Sequence, residues 1–377
     1  MHSDRPIFVV HVIHHLVIGG MENGLVNLIN TLPAERFQHA VICIEDFSDF
    51  KMRIQRPDVE VYALYRSKIG AVRLRWRLYR LLRRLRPDIV HSRNLSGLDA
   101  LMPARLAGIA TLHSEHGFDV DNLRGKAVRQ SLLRRLHSPL VRHYVAVSHD
   151  IRRLLSEDLQ IAAARITQIY NGVDTEKFTP VLPKRHELLP VGLRGPQLFV
   201  VGTVGRARPI KDQATLLRAF AEVMQRRPDW RGHLRLMLVG DGPSLADLKV
   251  LAANLGVATQ AWFTGATHDV RDLMQAMDLF VLPSLNEGIS NTLLEAMSSG
   301  IPVLATGVGG NLELMEGGEA GDLFQPGDIQ GLADMIENYA GDADLCAAHG
   351  SAARQRVLRR FSLQAMVAQY QAVYQAL

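Results

Sequence analysis

Two glutamates, Glu287 and Glu295, have the type and spacing to bind a ligand. They enclose the stretch Glu-Gly-Ile-Ser-Asn-Thr-Leu-Leu-Glu, in which an apolar strand leads to a loop and then to a helix that opens near Asn291. Backbone amides at a helix start favour phosphate, and each carboxylate can accept hydrogen bonds from two neighbouring hydroxyls. The block predicts a site for a nucleotide sugar, with one carboxylate on the sugar and the other on the ribose.

Two cations follow another strand. Gly205 precedes Arg206, and Lys211 stands five residues further on. Fixed donors aimed at charge that develops on a leaving group are typically worth ~10²–10³ each in rate. A lone Arg or Lys is otherwise a surface charge, but the glycine and the spacing favour a catalytic role for Arg206 and Lys211.

Glycines and histidines mark the first half of the chain. We expect Gly20, with Gly19 beside it, to end the first strand, where a loop without side chains brings its backbone close to a ligand. His116 follows an apolar strand-like run and precedes a glycine. In a chain with 15 histidines that pattern alone favours a structural role, so only a family resemblance gives His116 a place in the site. The other histidines that stand out in this half are assigned structural roles: His11, His14, His15 and His113.

These residues need a scaffold, and the apolar pattern predicts an α/β one. Short apolar runs alternate with amphipathic helical segments, which is typical of parallel sheets built from βαβ units. The predicted strands are 7–13, 40–44, 59–63, 89–91, 144–147, 198–203, 234–239, 261–264, 279–282 and 303–305. We therefore expect two doubly wound, Rossmann-like domains, 1–180 and 197–361, that face a central cleft, with residues 181–196, rich in Pro and Gly, as the linker.

Composition narrows the class of protein. A chain of 377 residues suits two domains of ordinary size. The net charge is +5 and the excess of Lys and Arg lies in the first half, which could face nucleic acid, acidic lipid or a phosphorylated acceptor. No aromatic-interleaved basic strand or nucleic-acid motif is present, so we expect no nucleic-acid partner. Cys43 and Cys346 stand too far apart for a disulfide framework or a zinc site, which fits a reducing cytoplasm.

The first residues of the sequence and the length of its apolar runs argue against a membrane-inserted protein. The first residues lack a basic segment before their apolar run and are interrupted by histidines, so they predict a buried strand and not a signal peptide. No apolar run reaches the ~18–20 residues needed to span a bilayer.

A basic helix is predicted over residues 72–87. Leucines at 74, 78, 81 and 85 recur along one face. A neighbouring face carries arginines at the same spacing: Arg73, Arg77, Arg80 and Arg84. The helix is either packed on its sheet with a solvated basic face or a dock for anionic lipid or a lipid-linked acceptor, with Trp76 and Tyr79 at the interface.

Five stretches together resemble the retaining family 4 glycosyltransferases of the GT-B fold, and the resemblance covers nearly the whole chain. Besides the block of Glu287 and Glu295, they are Gly-Gly-Met-Glu from Gly19, His-Gly from His116, Tyr-Asn-Gly-Val-Asp from Tyr170, and Gly-Thr-Val-Gly-Arg from Gly202 through Lys211. The amino-acid sequence of the glutamate block is similar to that of bacterial family members tied to exopolysaccharide and exosortase gene sets.

The resemblance implies a function and a role for each residue. It implies transfer of a sugar from a UDP- or GDP-linked donor to a glycan or lipid-linked hydroxyl with retention, without a metal or other cofactor, and a C-terminal helix over 362–377 that crosses back onto the first domain. His116, Arg206, Lys211 and Glu287 are the catalytic set. The donor-binding set is Gly19, Gly20, Gly205, Gly265, Gly288, Ile289, Ser290, Asn291 and Glu295. Family members often have Gly-Phe-Gly-Leu where this chain has Gly-Ile-Ser-Asn from Gly288, which leaves the donor sugar open.

Other functions remain or are set aside. A nucleotide-sugar epimerase, a phosphorylase or a catalytically silent scaffold could share the GT-B fold. Asp119 and Asp121 spell the Asp-x-Asp of metal-dependent glycosyltransferases of another fold, but without further ligands they are interpreted as a solvated turn. The chain has no Gly-x-Gly-x-x-Gly after its first strand and no Walker phosphate loop. We expect a cytoplasmic protein, peripheral at the inner face of the cell membrane.

Overall fold

The computed structural model describes residues 5–117, 126–267 and 269–377. Contacts within the chain divide it into two compact units. The first unit holds the residues up to Gly172 together with Leu363–Leu377, and the second holds Val173–Ser362.

The first unit is built on a parallel sheet. Its elements up to Gly172 are β1 (Ile7–Ile13), α1 (Gly20–Thr31), β2 (Phe37–Cys43), β3 (Glu60–Ala63), α2 (Arg66–Leu85), β4 (Ile89–Arg93), α3 (Asn94–Gly97), α4 (Leu101–Leu106), β5 (Ala110–Glu115), α5 (Lys126–His137), β6 (His143–Ala146), α6 (His149–Arg153) and β7 (Ile166–Gln168). The described strands pair in the order β3-β2-β1-β4-β5-β6-β7, all parallel. The order reverses between β1 and β4, and such a switch point opens a crevice at the carboxyl ends of the strands.

The second unit repeats this architecture. Its elements are β8 (Phe199–Val204), α7 (Gln213–Arg226), β9 (Leu234–Val239), α8 (Leu245–Asn254), β10 (Ala261–Gly265), α9 (Val270–Met274), β11 (Leu279–Leu282), α10 (Asn291–Ser298), β12 (Val303–Thr306), α11 (Gly310–Leu314), β13 (Gly321–Phe324), α12 (Ile329–Gly341) and α13 (Ala343–Arg360). The described strands pair in the order β10-β9-β8-β11-β12-β13, all parallel, with the switch point between β8 and β11.

The last helix, α14 (Leu363–Ala376), packs on the sheet of the first unit. Its apolar face joins a buried cluster with Val9 of β1, Leu28 of α1 and Phe37 of β2. The face also carries two buried tyrosines, Tyr370 and Tyr374. Their hydroxyls are brought to polar side chains of the sheet, which matters for the site.

The predicted fold class is confirmed: both units are doubly wound parallel α/β sheets. All ten predicted strands are present, three of them with the predicted bounds (β1, β9 and β11). The ten predicted strands do not include β5, β7 and β13, although the run before His116, which is β5, was described as strand-like. In β5 the residues Thr, His, Ser and Glu interrupt the apolar pattern although the strand is almost wholly buried, because their polar groups are paired inside the protein.

The boundary between the units lies earlier than the predicted residue 180. Val173 donates its N–H to Phe361 O at 2.9 Å, and Arg354 donates to the carbonyls of Thr175 and Phe178. The predicted linker 181–196 also belongs to the second unit, where buried Arg235 donates to Leu193 O at 2.9 Å. Its Pro and Gly content reflects irregular, well-bonded turns and not a free tether.

The span of α2 is broken at Gly70, whose φ of +73° is not helical, so the part that carries the basic face begins close to the predicted residue 72. Its fully buried stripe is Leu74, Leu78 and Leu82, and the predicted Leu81 and Leu85 pack at the edge of that core. Both spacings fit a 3.6-residue period, and burial shows that the core lies on the side of the helix that carries Leu82.

Candidate active site

The predicted residues of the second unit follow strands that meet at its switch point. Gly205 and Arg206 come directly after β8, and Glu287 lies in the loop after β11, the strand that pairs with β8. The two loops are joined where Leu285 donates its N–H to Ile210 O at 2.8 Å. Residues more than 70 positions apart thus share one edge of one sheet.

An ion pair joins two of the predicted catalytic residues. Lys211 Nζ lies 2.5 Å from Glu287 Oε1, and Ser284 Oγ donates to the same oxygen at 2.7 Å. The Glu287 side chain is 10% exposed and that of Lys211 is 27% exposed. Two donors on one oxygen hold the carboxylate in place, while the accessible side of the ammonium can still meet an anion.

A glycine pair that the sequence did not single out supports the Glu287 loop. A Cβ on Gly309 would lie 2.0 Å from Glu287 O, and one on Gly310 would lie 1.9 Å from Gly288 O. Gly310 also donates its N–H to Glu287 O at 3.2 Å. The signal available in the sequence was two adjacent glycines that begin three residues after the strand that follows the glutamate block.

The turn after β9 packs against the loop after β8. A Cβ on Gly240 would lie 2.2 Å from Gly205 O, and one on Gly242 would lie 2.3 Å from Ala207 O. Gly240 donates its N–H to Gly265 O at 3.2 Å. The predicted donor-binding Gly205 and Gly265 therefore border the same backbone turn.

Helix α10 begins where the glutamate block predicts. Ser290 is its N-cap, and its Oγ accepts the N–H of Leu293 at 3.3 Å. Ser290 and Ile289 are both buried, and Asn291 is the first helical residue. Glu295 lies half-buried in the second turn of α10. The hydroxyl of Ser290 thus serves the start of the helix, which fixes the loop that carries Glu287.

Gly20 does not end the first strand, contrary to the sequence-based expectation. Strand β1 ends at Ile13, and Gly20 opens α1 with Gly19 as its extended N-cap. The intervening loop is held by the pairing of Leu16 with Phe47, so the chain needs several residues to pass from the sheet to the helix. Both glycines still lie at the carboxyl end of β1.

His116 directly follows β5, as predicted, and is tied to the other loops at this edge. Its N–H donates to Asn94 Oδ1 at 2.8 Å, and Asn94 Nδ2 contacts Met21 Sδ in α1 at 3.6 Å. Asn94 has a left-handed φ of +51°. The loops after β1, β4 and β5 thus converge on His116.

The ring of His116 is held neutral. Burial first, then the nearby charge of Arg93, lowers the pKa of His116 to about 3. Its Nε2 contacts Ser114 Oγ at 2.8 Å. Its Nδ1 is buried without a hydrogen-bond partner among the described residues.

A buried ion pair anchors α5 beside this site. Burial raises the pKa of Glu115, but hydrogen bonds from His113 and Arg134 outweigh it and lower the pKa to about 2. Arg134 Nε lies 2.7 Å from Glu115 Oε1, and His113 Nε2 lies 3.2 Å from the same oxygen. His113 therefore has a structural role, as expected, while the pair was not predicted because it links a strand to a later helix.

The structure bears on the other predictions only in part. Asp119 and Asp121 lie outside the described residues. Among the residues described, no cluster of His, Cys, Asp or Glu could hold a metal ion. In that same part of the chain, no helix is both long and apolar enough to cross a membrane. The four arginines of the basic helix are all exposed: Arg73, Arg77, Arg80 and Arg84.

Two family models match the chain, one in its first half and one in its second half. The model described as Glycosyltransferase Family 4 matches residues 18–177, and the one described as Glycosyl transferases group 1 matches residues 198–342. A putative glycosyltransferase, EpsD of Bacillus subtilis, is 30% identical over 72% of this chain and 72% of its own length. An Escherichia coli UDP-Gal:alpha-D-GlcNAc-diphosphoundecaprenol alpha-1,3-galactosyltransferase is 28% identical over 90% of this chain and 89% of its own length.

Solved structures share the fold. HepE of Anabaena, solved in complex with UDP-glucose, has a TM-score of 0.83 at 22% identity, covering 98% of this chain and 100% of its own. WaaG, a glycosyltransferase involved in lipopolysaccharide biosynthesis, has a TM-score of 0.73 at 16% identity, covering 95% of this chain and 97% of its own. The fold and the switch-point site define a GT-B glycosyltransferase. The chain belongs to the glycosyltransferases, with a Glycosyltransferase Family 4 domain in its first half and a Glycosyl transferases group 1 domain in its second half.

Proposed function

We propose that this glycosyltransferase moves a sugar from a nucleoside-diphosphate donor to a hydroxyl acceptor with retention of anomeric configuration and without a divalent metal. The contact between Lys211 and Glu287 carries the proposal. It holds a cation for phosphate and a carboxylate for sugar hydroxyls side by side at the switch point of the second unit.

Each residue of the site has a role in this reaction. Arg206 and Lys211 stabilise the negative charge that grows on the leaving diphosphate, as preorganised donors do. Glu287 accepts hydrogen bonds from sugar hydroxyls, and Glu295 accepts them from the ribose. The backbone at the start of α10 adds amides that favour phosphate: Gly288, Ile289, Ser290 and Asn291. The acceptor hydroxyl attacks from the face that the diphosphate leaves, and its proton passes to the departing phosphate oxygen.

The proposed donor is a UDP-sugar, with a GDP-sugar as the alternative, and the proposed acceptor is a lipid-linked or exopolysaccharide intermediate. Solved structures of the HepE fold neighbour hold UDP and UDP-glucose. The E. coli relative carries a UDP-linked donor and a diphosphoundecaprenol acceptor in its name.

An acceptor on a lipid requires an enzyme that meets a membrane surface, and we propose that α2 does so. Four exposed arginines share its outer side, and Trp76 is 57% exposed beside them. Arg80 lies over the Trp76 ring at 4.7 Å. A basic face with an exposed indole suits the anionic inner face of the cell membrane.

Thermal unfolding with nucleotides tests the donor site. The midpoint is measured with millimolar UDP, GDP, ADP or NAD and a chelator, for the wild type, for Glu295→Ala, and for Glu176→Ala as a control at an exposed carboxylate of the same unit. A ligand at 100 times its dissociation constant stabilises by about 2.7 kcal/mol. We expect UDP to raise the midpoint in the wild type and the control, and Glu295→Ala to lose most of the gain. No effect of any nucleoside diphosphate, or an effect of NAD alone, would overturn the donor site.

A further inference from the structure

A buried chain of polar side chains crosses the sheet of the first unit and ends at His116. It spans β2, β1, β4 and the end of β5, beneath α14. Its members, in order across the sheet, are His39, His11, Arg93, His91, Ser114 and His116. Such chains form because parallel strands place side chains of one face at adjacent registers; His11, for example, lies opposite His91.

Arg93 determines which ring nitrogens of the buried polar side chains accept hydrogen bonds. Its guanidinium is 2% exposed and has only donors to offer. Arg93 lies 3.1 Å from His11 Nδ1 and 3.3 Å from His91 Nδ1. Both nitrogens must therefore accept. The hydroxyl of Tyr374 lies 2.8 Å from His91 Nδ1 and competes with Arg93 as the donor, and His91 Nδ1 is the acceptor with either one.

The donor and acceptor roles of the hydrogen bonds from Arg93 to His116 follow from where each side chain carries its proton. Burial, and then the charge of Arg93, lowers the pKa of His91 far below its usual range, so His91 is neutral and carries one ring proton. With Nδ1 accepting, that proton is on Nε2 and is donated to Ser114 Oγ at 3.0 Å. Among the described residues His116 Nε2, at 2.8 Å, is the one remaining acceptor for the hydroxyl proton of Ser114, so that proton is donated to it. The ring proton of neutral His116 is left on Nδ1.

We propose that Arg93, through His91 and Ser114, fixes His116 in the Nδ1–H form, so that His116 donates a hydrogen bond to an oxygen of the sugar donor and does not act as a base. This rests on the proposed function for the identity of the ligand. The tautomer itself rests only on the geometry of the free protein. Arg93, His91 and Ser114 are positioning residues, since they act through His116.

A ring nitrogen stands at each end of this row of hydrogen bonds. The argument from Arg93 places a proton on His116 Nδ1 at one end and, through His11, on His39 Nε2 at the other. Both nitrogens are buried without a partner among the described residues. At the His116 end this donor lies among the converging loops after β1, β4 and β5, where a ligand oxygen can complete it.

The tautomer can be read by nitrogen NMR of the full chain labelled with ¹⁵N in the histidine rings, at neutral pH and without ligand. Signals that disappear in His116→Asn belong to His116. We expect protonated Nδ1 and unprotonated Nε2 in the wild type. The opposite form, or a mixture, would overturn the proposal.

Substitutions in this row of polar side chains test whether its hydrogen bonds, and not packing alone, fix the tautomer of His116. We call this effect the relay. Ser114→Ala should give a mixture of both His116 tautomers, while Ser114→Thr keeps the hydroxyl and should keep the wild-type form. His39→Asn breaks the chain on the other side of Arg93 and should leave the His116 signals unchanged. Loss of the Nδ1–H form in His39→Asn, or its persistence in Ser114→Ala, would contradict the relay.

Steady-state kinetics then tests whether the enzyme uses the Nδ1–H of His116 in the reaction. The amide nitrogen of Asn stands near the place of a histidine Nδ1, and that of Gln near Nε2. His116→Asn should retain at least tenfold more kcat/KM for the donor than His116→Gln. Equal losses would show that the Nδ1–H is not used. A wild type with the expected tautomer that binds no nucleotide sugar would refute the proposed function and leave the relay standing.

Discussion

The ammonium of Lys211 lies 2.5 Å from the carboxylate of Glu287, although 76 positions separate the two residues in the chain. The contact exists because β8 and β11 are neighbours at the switch point of the second sheet. It keeps each side chain in place before a ligand arrives, so neither has to be ordered during binding.

Removing either member of this pair should slow transfer more than it weakens binding. Lys211→Met should lower kcat by about 10²–10³, because a fixed cation near the leaving group acts mainly on the transition state. Steady-state kinetics with the donor measures this. Lys249→Met, at an exposed position on α8, is the matched control and should leave kcat unchanged.

The two residues should also be coupled. Since Lys211 and Glu287 touch, the loss in Lys211→Met combined with Glu287→Gln should be smaller than the product of the single losses. Losses in kcat/KM that multiply independently would show that the pair does not act together.

The glycine pair after β12 should be intolerant of side chains. Gly309→Ala and Gly310→Ala each force a Cβ to within about 2 Å of a carbonyl of the Glu287 loop, and Gly309 has a left-handed φ of +48°. We expect at least a tenfold rise in the donor dissociation constant, together with a lower melting temperature. Gly341→Ala, where no atom lies within 4 Å of the new Cβ, should retain wild-type binding and stability.

The first unit should lose stability steeply in mild acid. Burial lowers the pKa of His11, His39, His91 and His116, to about 3 for His39 and His116. The unfolded chain takes up protons at these rings below about pH 6.5 while the folded chain does not. The free energy of unfolding is therefore insensitive to them above pH 6.5 and falls below it, by about 1.4 kcal/mol per pH unit for each ring.

Trp76 fluorescence can follow this transition, because the other two tryptophans, Trp230 and Trp262, lie in the second unit and can be replaced by Phe. Denaturant titrations between pH 7 and pH 5 give the slope. His39→Asn removes one such ring and should reduce the slope by about 1.4 kcal/mol per pH unit. A slope that is flat in this range would mean that the histidines are protonated in the folded protein.

The basic face of α2 should bind anionic vesicles. Replacing its four arginines by Gln should weaken binding to vesicles of acidic phospholipid at least tenfold, since each basic residue near the surface contributes about 1 kcal/mol. Sedimentation of the protein with vesicles measures this. A control with the same loss of charge at scattered exposed positions of the first unit replaces Arg36, Arg105, Arg142 and Arg152. Equal losses in both variants would point to overall charge and not to this helix.

Local sequence determined much of this protein. The alternation of apolar strands and helices predicted two doubly wound units, and β1, β9 and β11 have the predicted bounds. Short-range patterns suffice for this, because burial on both faces imposes a continuous apolar run on a parallel strand. The glutamate block also predicted the start of α10. The five family-like stretches predicted a glycosyltransferase.

Tertiary structure alone decided which side chains meet. Strand order is absent from local periodicity, so the pairing of Lys211 with Glu287 and the polar chain from His39 to His116 could not be predicted. The polar residues of β5 hid a buried strand, because their partners lie on other elements. The need for glycine at 309 and 310 likewise arises from the carbonyls of Glu287 and Gly288, which only the folded chain brings within about 2 Å of a Cβ at these positions.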